Sequence, residues 1–167
     1  MIPKTLAALA ALVGVLAAAP AHAQTASIRD QVGDAPSRFD LTNVTVSNEA
    51  DSVTVLAAVK DLEPGGAQIF IADLASQAGG SYYAVTVRRS DGSVATKLAR
   101  FGEGGFERVK CDVAGRWRMA RSDIRLTIPH ACLAETDKVS VDVAIGAGNG
   151  SAGDPADWTR TFRIAFS

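Results

Sequence analysis

The feature that most constrains this chain is a series of short segments in which apolar and polar residues alternate. The clearest is Asp123–Leu133, where Ile124, Leu126 and Ile128 recur at every second position before Pro129. A period of two places such residues on one face of a β-strand, and proline ends a strand because it lacks a backbone N–H. The segment therefore predicts a half-buried strand followed by a single helical turn.

Eight further segments show β-strand composition between turn residues, and no segment shows a helical period longer than one turn. About nine strands at regular spacing predict an all-β fold, an antiparallel β-sandwich of immunoglobulin-like or jelly-roll-like type, with a closed barrel as the alternative. The nine predicted strands are Phe39–Ser47, Ser52–Lys60, Ala67–Ala72, Ser81–Arg89, Val94–Phe101, Phe106–Cys111, Asp123–Ile128, Lys138–Ile145 and Trp158–Phe166.

Two strands carry local detail. In the first, the apolar positions change from odd to even numbers, which predicts a β-bulge near Asn43. Asp91-Gly92 between two alternating runs predicts a two-residue hairpin loop, which sets Val87 opposite Thr96 and puts Val87 on the core face. Residues 24–38 and 73–80 are predicted to be loops.

The N-terminus predicts an export signal. Lys4 precedes an apolar run over residues 6–19, and Ala21-His22-Ala23 is a small-x-small triplet. We expect residues 1–23 to be a signal peptide cleaved after Ala23, and residues 24–167 to form one β-sandwich domain that is secreted or periplasmic. The run is short for a membrane span, no cysteine follows it to carry a lipid, and no second run approaches span length.

Charge and cysteine content narrow the partners. The formal net charge of the 167 residues is −1, which gives no electrostatic basis for binding nucleic acid or an anionic membrane. Two cysteines in an exported chain predict a disulfide between Cys111 and Cys132. After cleavage His130 is the one remaining histidine, so a four-ligand Cys/His zinc site is not expected.

No catalytic set is evident. The chain lacks a nucleophile elbow, a phosphate-binding glycine loop and an HExxH motif, so we expect a protein that is not an enzyme and has no catalytic residues. His130 is read as a loop residue. A hydrolase that uses two carboxylates stays open as an alternative, since any two acidic residues can meet in space.

Two aspartate-rich loops form a candidate calcium site. Ca²⁺ binds several carboxylate and carbonyl oxygens on flexible loops, although neither loop has the regular EF-hand spacing. The alternative is that these residues stabilise turns. The candidate ligands are Asp30, Asp34, Asp40, Asp154 and Asp157.

The ligand itself is not identified by any motif. Tyr82, Tyr83, Trp117 and Trp158 are either sugar-stacking rings or core residues, and the latter is favoured because aromatic residues are only 6% of the chain. Arginines surround Trp117 and form either a solvated strand face or a patch for an acidic glycan or phosphate. Those arginines are Arg116, Arg118, Arg121 and Arg125.

The order of these features resembles a recurring type of small secreted bacterial β-sandwich protein of unassigned activity. The general plan is also similar to DOMON domains and family 9 carbohydrate-binding modules, which are β-sandwiches that bind sugars or haem and often carry a structural calcium. Met119 and His130 do not match a haem ligand pair. The matching pieces are Asp30-x-x-Gly33-Asp34, Asp40-Leu41, Cys111, Ile128-Pro129-x-x-Cys132-Leu133 and Asp157-Trp158.

We therefore expect an exported, non-catalytic binding or envelope-associated module whose ligand is unknown, with a glycan or another cell-envelope component as partner. The alternatives are the carboxylate-pair hydrolase and a module that binds or inhibits a protein. A large exposed apolar patch would favour the protein-binding alternative.

Overall fold

The computed structural model describes residues 24–76, 80–133, 138–148, 157–158 and 162–165, so the predicted signal peptide lies outside the described residues. Within these ranges the chain forms twelve strands and two short 3-10 turns, Met119–Arg121 and His130–Cys132. The strands are β1 Gln24–Arg29, β2 Leu41–Asn48, β3 Ser52–Val59, β4 Gln68–Ser76, β5 Ser81–Arg88, β6 Val94–Gly102, β7 Gly105–Val109, β8 Ala114–Arg118, β9 Asp123–Pro129, β10 Lys138–Ala147, β11 Asp157–Trp158 and β12 Phe162–Ala165.

The strands form two antiparallel sheets. Sheet A has the order β1-β2-β3-β9-β8, and sheet B has the order β11-β10-β4-β5-β6-β7, with β12 also paired to β10. The predicted all-β sandwich is confirmed, with twelve described strands where about nine were expected. No helix in the described ranges is long and apolar enough to cross a membrane.

The core lies between the two sheets and takes every second side chain from each. Each such side chain contributes about 1.5–3 kcal/mol when it is fully removed from water. The largest members from sheet A are Leu41, Val44, Val46, Val53, Ile124, Leu126 and Ile128, and those from sheet B are Phe70, Leu74, Tyr82, Leu98, Val143 and Ile145.

The predicted bulge in β2 is confirmed. Leu41 pairs with Val59 and Asn43 pairs with Ala58, so the register shifts by one residue between them. The extra residue lets Leu41 and Val44 both point into the core, although three positions separate them.

Two predicted loops are strands. Residues 24–29 form β1, and β4 continues to Ser76 instead of ending at Ala72. The outward residues of β1 are polar, so the sequence of this segment is typical of a loop. In the structure these side chains bond to β2: the Thr25 and Ser47 hydroxyl oxygens are 3.1 Å apart, and the Ser27 hydroxyl donates to Asn43 Oδ1 at 2.9 Å. An edge strand with a solvated outer face needs only a few apolar residues, and Ala26 and Ile28 supply them.

The predicted register of the β5–β6 hairpin is wrong by one residue. Val87 pairs with Ala95, because the loop has three residues: the Arg89 amide donates to Ser93 O and the Gly92 amide donates to Arg89 O. This is a type I turn followed by Gly92 at φ +84°, a form that Asp-Gly suits as well as the two-residue loop. Because a one-residue shift reverses every side chain, Val87 lies on the outer face.

The predicted disulfide is confirmed. Cys111 follows β7 of sheet B, Cys132 follows β9 of sheet A, and their Cα atoms are 5.9 Å apart. The bond joins the two sheets and closes a loop of about 20 residues, for which chain entropy gives a stabilisation of about 3 kcal/mol. The 3-10 turn at His130–Cys132 is the single helical turn that the sequence indicated.

Strand β8 of sheet A lies in close contact with the inner face of sheet B. The Trp117 indole Nε1 donates a hydrogen bond to Thr86 Oγ1 at 3.1 Å, and the Thr96 hydroxyl donates to the same oxygen at 3.3 Å. Gly115 lies directly against this pair, and a Cβ there would overlap both threonine hydroxyls and come within 2.7 Å of Thr86 Cβ. Glycine is therefore required for steric reasons.

We expect Gly115→Ala to lower the free energy of unfolding by about 1–3 kcal/mol, since the added methyl group forces the sheets apart or breaks the threonine pair. Gly102→Ala is the matched control, because it also lies in a strand and its Cβ would meet nothing within 4 Å. Urea denaturation of the three proteins measures the difference. Equal stability of the two variants would contradict this account of Gly115.

Candidate ligand-binding groove

The outer faces of the two sheets differ in polarity. The outer face of sheet A carries a ladder of hydroxyl and amide groups, in which Ser27 lies 3.1 Å from the Thr45 hydroxyl. The outer face of sheet B carries a second apolar cluster, separate from the core. Its members are Ile69, Val85 and Val87, with Ile71 and Tyr83 packed against them.

This cluster forms part of a groove of about 720 Å³ on the outer face of sheet B. Every lining residue belongs to β4, β5, β6, β7 or the β5–β6 turn. The floor consists of Ile71, Val85, Val87, Ala95 and Ala99, and its deepest side chains are no more than 9% exposed. A recess of this size and apolar character is typical of small-molecule sites.

Aromatic rings form one side of the groove. Phe106 of β7 contacts Tyr83 of β5 edge-to-face, with ring centroids 5.0 Å apart, and contacts Phe101 of β6 at 5.1 Å. Phe106 is 65% exposed and Phe101 is 47% exposed, so both rings expose apolar surface to water, which is unfavourable in free energy. These rings are positioned to contact a ligand.

Cationic side chains complete the rim. Arg89, Lys97 and Arg108 line the groove, and no carboxylate or amide side chain of the described residues lines it. The ion pairs found among the described residues involve other cations: Lys60, Arg118 and Arg125. The groove therefore combines an apolar floor with an excess of positive charge.

Two carboxyl groups lie beside Tyr83, on the side of β5 that faces away from β6. Asp73 of β4 pairs directly with Asp142 of β10 on one side and with Tyr83 of β5 on the other. Burial raises the pKa of Asp73; the Tyr83 hydroxyl, which donates a hydrogen bond to it, opposes this, and the negative charge of Asp142 adds to it. Burial and the charge of Asp73 also raise the pKa of Tyr83.

The structure places the candidate calcium ligands unevenly. Asp40 is fully buried before β2, where its Oδ2 accepts a hydrogen bond from the Gly33 amide at 2.8 Å and lies 3.7 Å from Lys60 Nζ. Its Oδ1 is buried without a hydrogen bond. Asp34 lies in the exposed turn, and the Asp30 amide donates to Thr42 O.

Little of the second aspartate loop, which contains Asp154 and Asp157, lies within the described residues. Asp154 lies outside the described residues, and only the backbone of Asp157, in β11, is described. β1 and β12 contact each other, so these two strands are neighbours. Among the described residues no group of three or more Asp, Glu, His or Cys side chains forms a metal site. Calcium binding stays a prediction.

The other sequence candidates divide between structure and solvent. Tyr82 is in the core and Trp117 bonds Thr86 between the sheets, so of the described aromatic candidates Tyr83 alone lines the groove. The Trp158 side chain is not described. His130 is half-buried, with Nε2 2.7 Å from Asn48 Oδ1.

The predicted arginine patch is partly neutralised. Arg118 forms two hydrogen bonds to the Asp123 carboxylate, and Arg125 lies 3.9 Å from Glu49. Arg116 faces Arg125 across the β8–β9 pair, at a smaller depression of about 310 Å³ on sheet A. This depression has no aromatic lining.

Sequence reasoning missed the groove and the carboxyl pair. The available signal was β5, where odd and even positions are both apolar, as in Tyr83-Ala84-Val85. In an antiparallel sheet, a strand with apolar residues at both odd and even positions indicates that both faces of the sheet are covered, by the core on one side and by another element or a ligand on the other. Asp73 was missed because it was assigned to a loop.

The raised pKa of Asp73 predicts a pH effect on stability. The folded state favours the neutral carboxyl, so its contribution is fully present below the usual pKa of 3.8 and is lost as the pH rises through the raised folded-state value. We expect Asp73→Asn to gain stability relative to wild type across this window. Urea denaturation at a series of pH values measures it.

Asp91 provides the matched control. Hydrogen bonds from Ser93 lower the pKa of this exposed carboxyl, so its contribution is present above 3.8 and is lost as the pH falls. Asp91→Asn must therefore change the pH dependence in the opposite direction. Parallel profiles for the two variants would refute the assignment of Asp73.

Comparison with protein-family models found no match, and comparison with curated proteins also found none.

Proposed function

We propose that this protein is an exported, non-catalytic binding module whose site is the groove on the outer face of sheet B. The observation that carries the proposal is the second apolar cluster: Ile69, Val85 and Val87 are buried on a face that points away from the core. Antiparallel sheets ordinarily expose polar residues there, as sheet A does. An exposed apolar face lowers the solubility of a protein, and a ligand that covers the face explains why it is present.

The shape and chemistry of the groove favour a small apolar ligand. Because its floor is recessed beneath longer side chains, a flat protein surface would reach the rim and leave the floor unfilled. A sugar would need amide or carboxylate partners for its hydroxyl groups, and none of the described side chains that line the groove is of this kind. The export signal and the disulfide support a location outside the cytoplasm, where a cell-envelope component is the available partner.

We expect the mature protein to bind N-phenyl-1-naphthylamine, a neutral apolar fluorophore whose emission increases in apolar sites. Ala99→Trp should lower its affinity about tenfold or more, because Ala99 lies on the groove floor opposite Tyr83 and Arg108, and an indole there occupies the recess. Fluorescence titration measures the affinity, and the thermal midpoint of the variant verifies folding.

Thr127→Trp is the control, since Thr127 lies on the outer face of sheet A and lines the smaller depression. Its affinity for the fluorophore should equal that of wild type. Absence of fluorophore binding in the wild type, or equal losses in both variants, would exclude the groove as the site.

One observation favours a second candidate function, a hydrolase that uses a carboxylate pair. Asp73 and Asp142 are directly opposed in antiparallel strands and share one face of the sheet, and the charge of Asp142 acts on Asp73, so the two carboxyl groups are close neighbours, as a carboxylate-pair hydrolase requires. Asp73 has the raised pKa of a general acid and Asp142 is the candidate nucleophile. Tyr83 links the pair to the groove.

If this second candidate is correct, wild-type protein hydrolyses at least one substrate of a glycan panel. Asp73→Asn and Asp142→Asn then each lower the rate by at least about a hundredfold. Asp61→Asn, which changes a carboxylate outside the groove and the pair, leaves it unchanged. Reducing-sugar release measures the rate. No release by wild type, or release unaffected by both substitutions, removes the hydrolase candidate and leaves the binding module.

A structural calcium ion at the first aspartate loop is a separate part of the proposal. The buried Oδ1 of Asp40 supports it, because a hard cation prefers such an oxygen. The Lys60 ammonium, which already lies near Oδ2 of the same carboxylate, supplies an alternative counter-charge. The binding function at sheet B does not depend on this ion.

A further inference from the structure

We infer that the ligand of the groove is a single-chain anionic amphiphile: one acyl or alkyl chain that carries a carboxylate, sulfate or phosphate group. This inference rests on the proposed function, since it names the class of ligand for the same groove. The apolar floor takes the chain, and the cationic rim takes the anionic group.

The charge distribution carries the first step. Among the described residues three cations and no acid line the groove, in a chain whose overall net charge is −1, so positive charge is concentrated at this surface. Lys97 of β6 and Arg108 of β7 project from neighbouring strands on the groove side and are exposed. A compact anion between these two side chains would form charge-assisted hydrogen bonds beside a low-dielectric floor, where such bonds are strong.

The arrangement of the apolar residues carries the second step. On the outer face Val87 is opposite Ala95, Val85 is opposite Lys97 and Tyr83 is opposite Ala99. The β5 side chains therefore form a continuous apolar row, and the small alanines on either side of Lys97 leave a channel beside this row that ends at the Tyr83 ring. A single extended hydrocarbon chain fits such a channel, and the volume of about 720 Å³ lies within the usual range for small ligands.

The position of the acidic pair carries the third step. Asp73 and Asp142 lie on the β4 and β10 side of Tyr83, whereas Lys97 and Arg108 lie on its other side, on β6 and β7. An anionic group is therefore attracted to the β6 and β7 side of the groove and repelled from the β4 and β10 side. This charge separation orients the ligand, with its anionic group between Lys97 and Arg108 and its chain over the β5 side chains.

The test is displacement of bound N-phenyl-1-naphthylamine by three amphiphiles with the same ten-carbon chain, each below its micelle concentration: decanoate, decyl maltoside and decyltrimethylammonium. We expect decanoate to displace the fluorophore at concentrations about tenfold lower than decyltrimethylammonium, with decyl maltoside between them. Raising the salt concentration should reduce this difference, because exposed charges are screened.

The matched variants separate charge from fold. Lys97→Gln combined with Arg108→Gln should weaken decanoate binding about tenfold more than it weakens fluorophore binding. Arg116→Gln, an exposed cation on the outer face of sheet A, should change neither.

Three outcomes have distinct meanings. Fluorophore binding at the groove without preference for decanoate overturns this inference and leaves the proposed function standing. No fluorophore binding, or binding that Ala99→Trp does not affect, overturns both. Binding to vesicles of phosphatidylglycerol without binding of monomeric decanoate shows that the surface recognises a membrane, and this also overturns the inference.

Discussion

The contact between the inner faces of the two sheets is the interaction on which the rest of the structure depends. It buries side chains of seven described strands, and partly buried side chains of β1, β7 and β8 pack against them. The side chains that point away from the core in sheet A are polar and solvated. In sheet B those of β4 and β5 are largely apolar, so the protein has a second apolar surface outside the core.

The parts of the fold that sequence predicted are those with one unambiguous pattern. Period-two alternation in β9 and β10 gave the strand type, the parity change at Asn43 gave the bulge, and two cysteines in an exported chain gave the disulfide. The hairpin register failed for a physical reason. Asp91-Gly92 is compatible with two turn types, and β5 is apolar at both parities, so burial could not decide between them.

The candidate site was less predictable than the fold, because it depends on which strands are neighbours. Asp73 and Asp142 are 69 positions apart in sequence, and the pairing of β4 with β10 brings them together. Lys97 and Arg108 belong to no sequence motif, and they are candidate binding residues because they border the apolar floor of the groove. Of the aspartates that the sequence did select, Asp40 accepts a hydrogen bond from the Gly33 amide and lies near Lys60, so it stabilises a turn.

The position of β7 has a consequence for the behaviour of the protein at high concentration. In the described sheet β7 pairs only with β6, so its other side presents backbone N–H and C=O groups next to the exposed Phe106. A strand of a second chain can pair with such an edge through backbone hydrogen bonds. β7 is only five residues long and contains Glu107 and Arg108, which are the usual means of discouraging that pairing. Replacing Glu107 and Arg108 with neutral residues would therefore lower the resistance of the protein to aggregation.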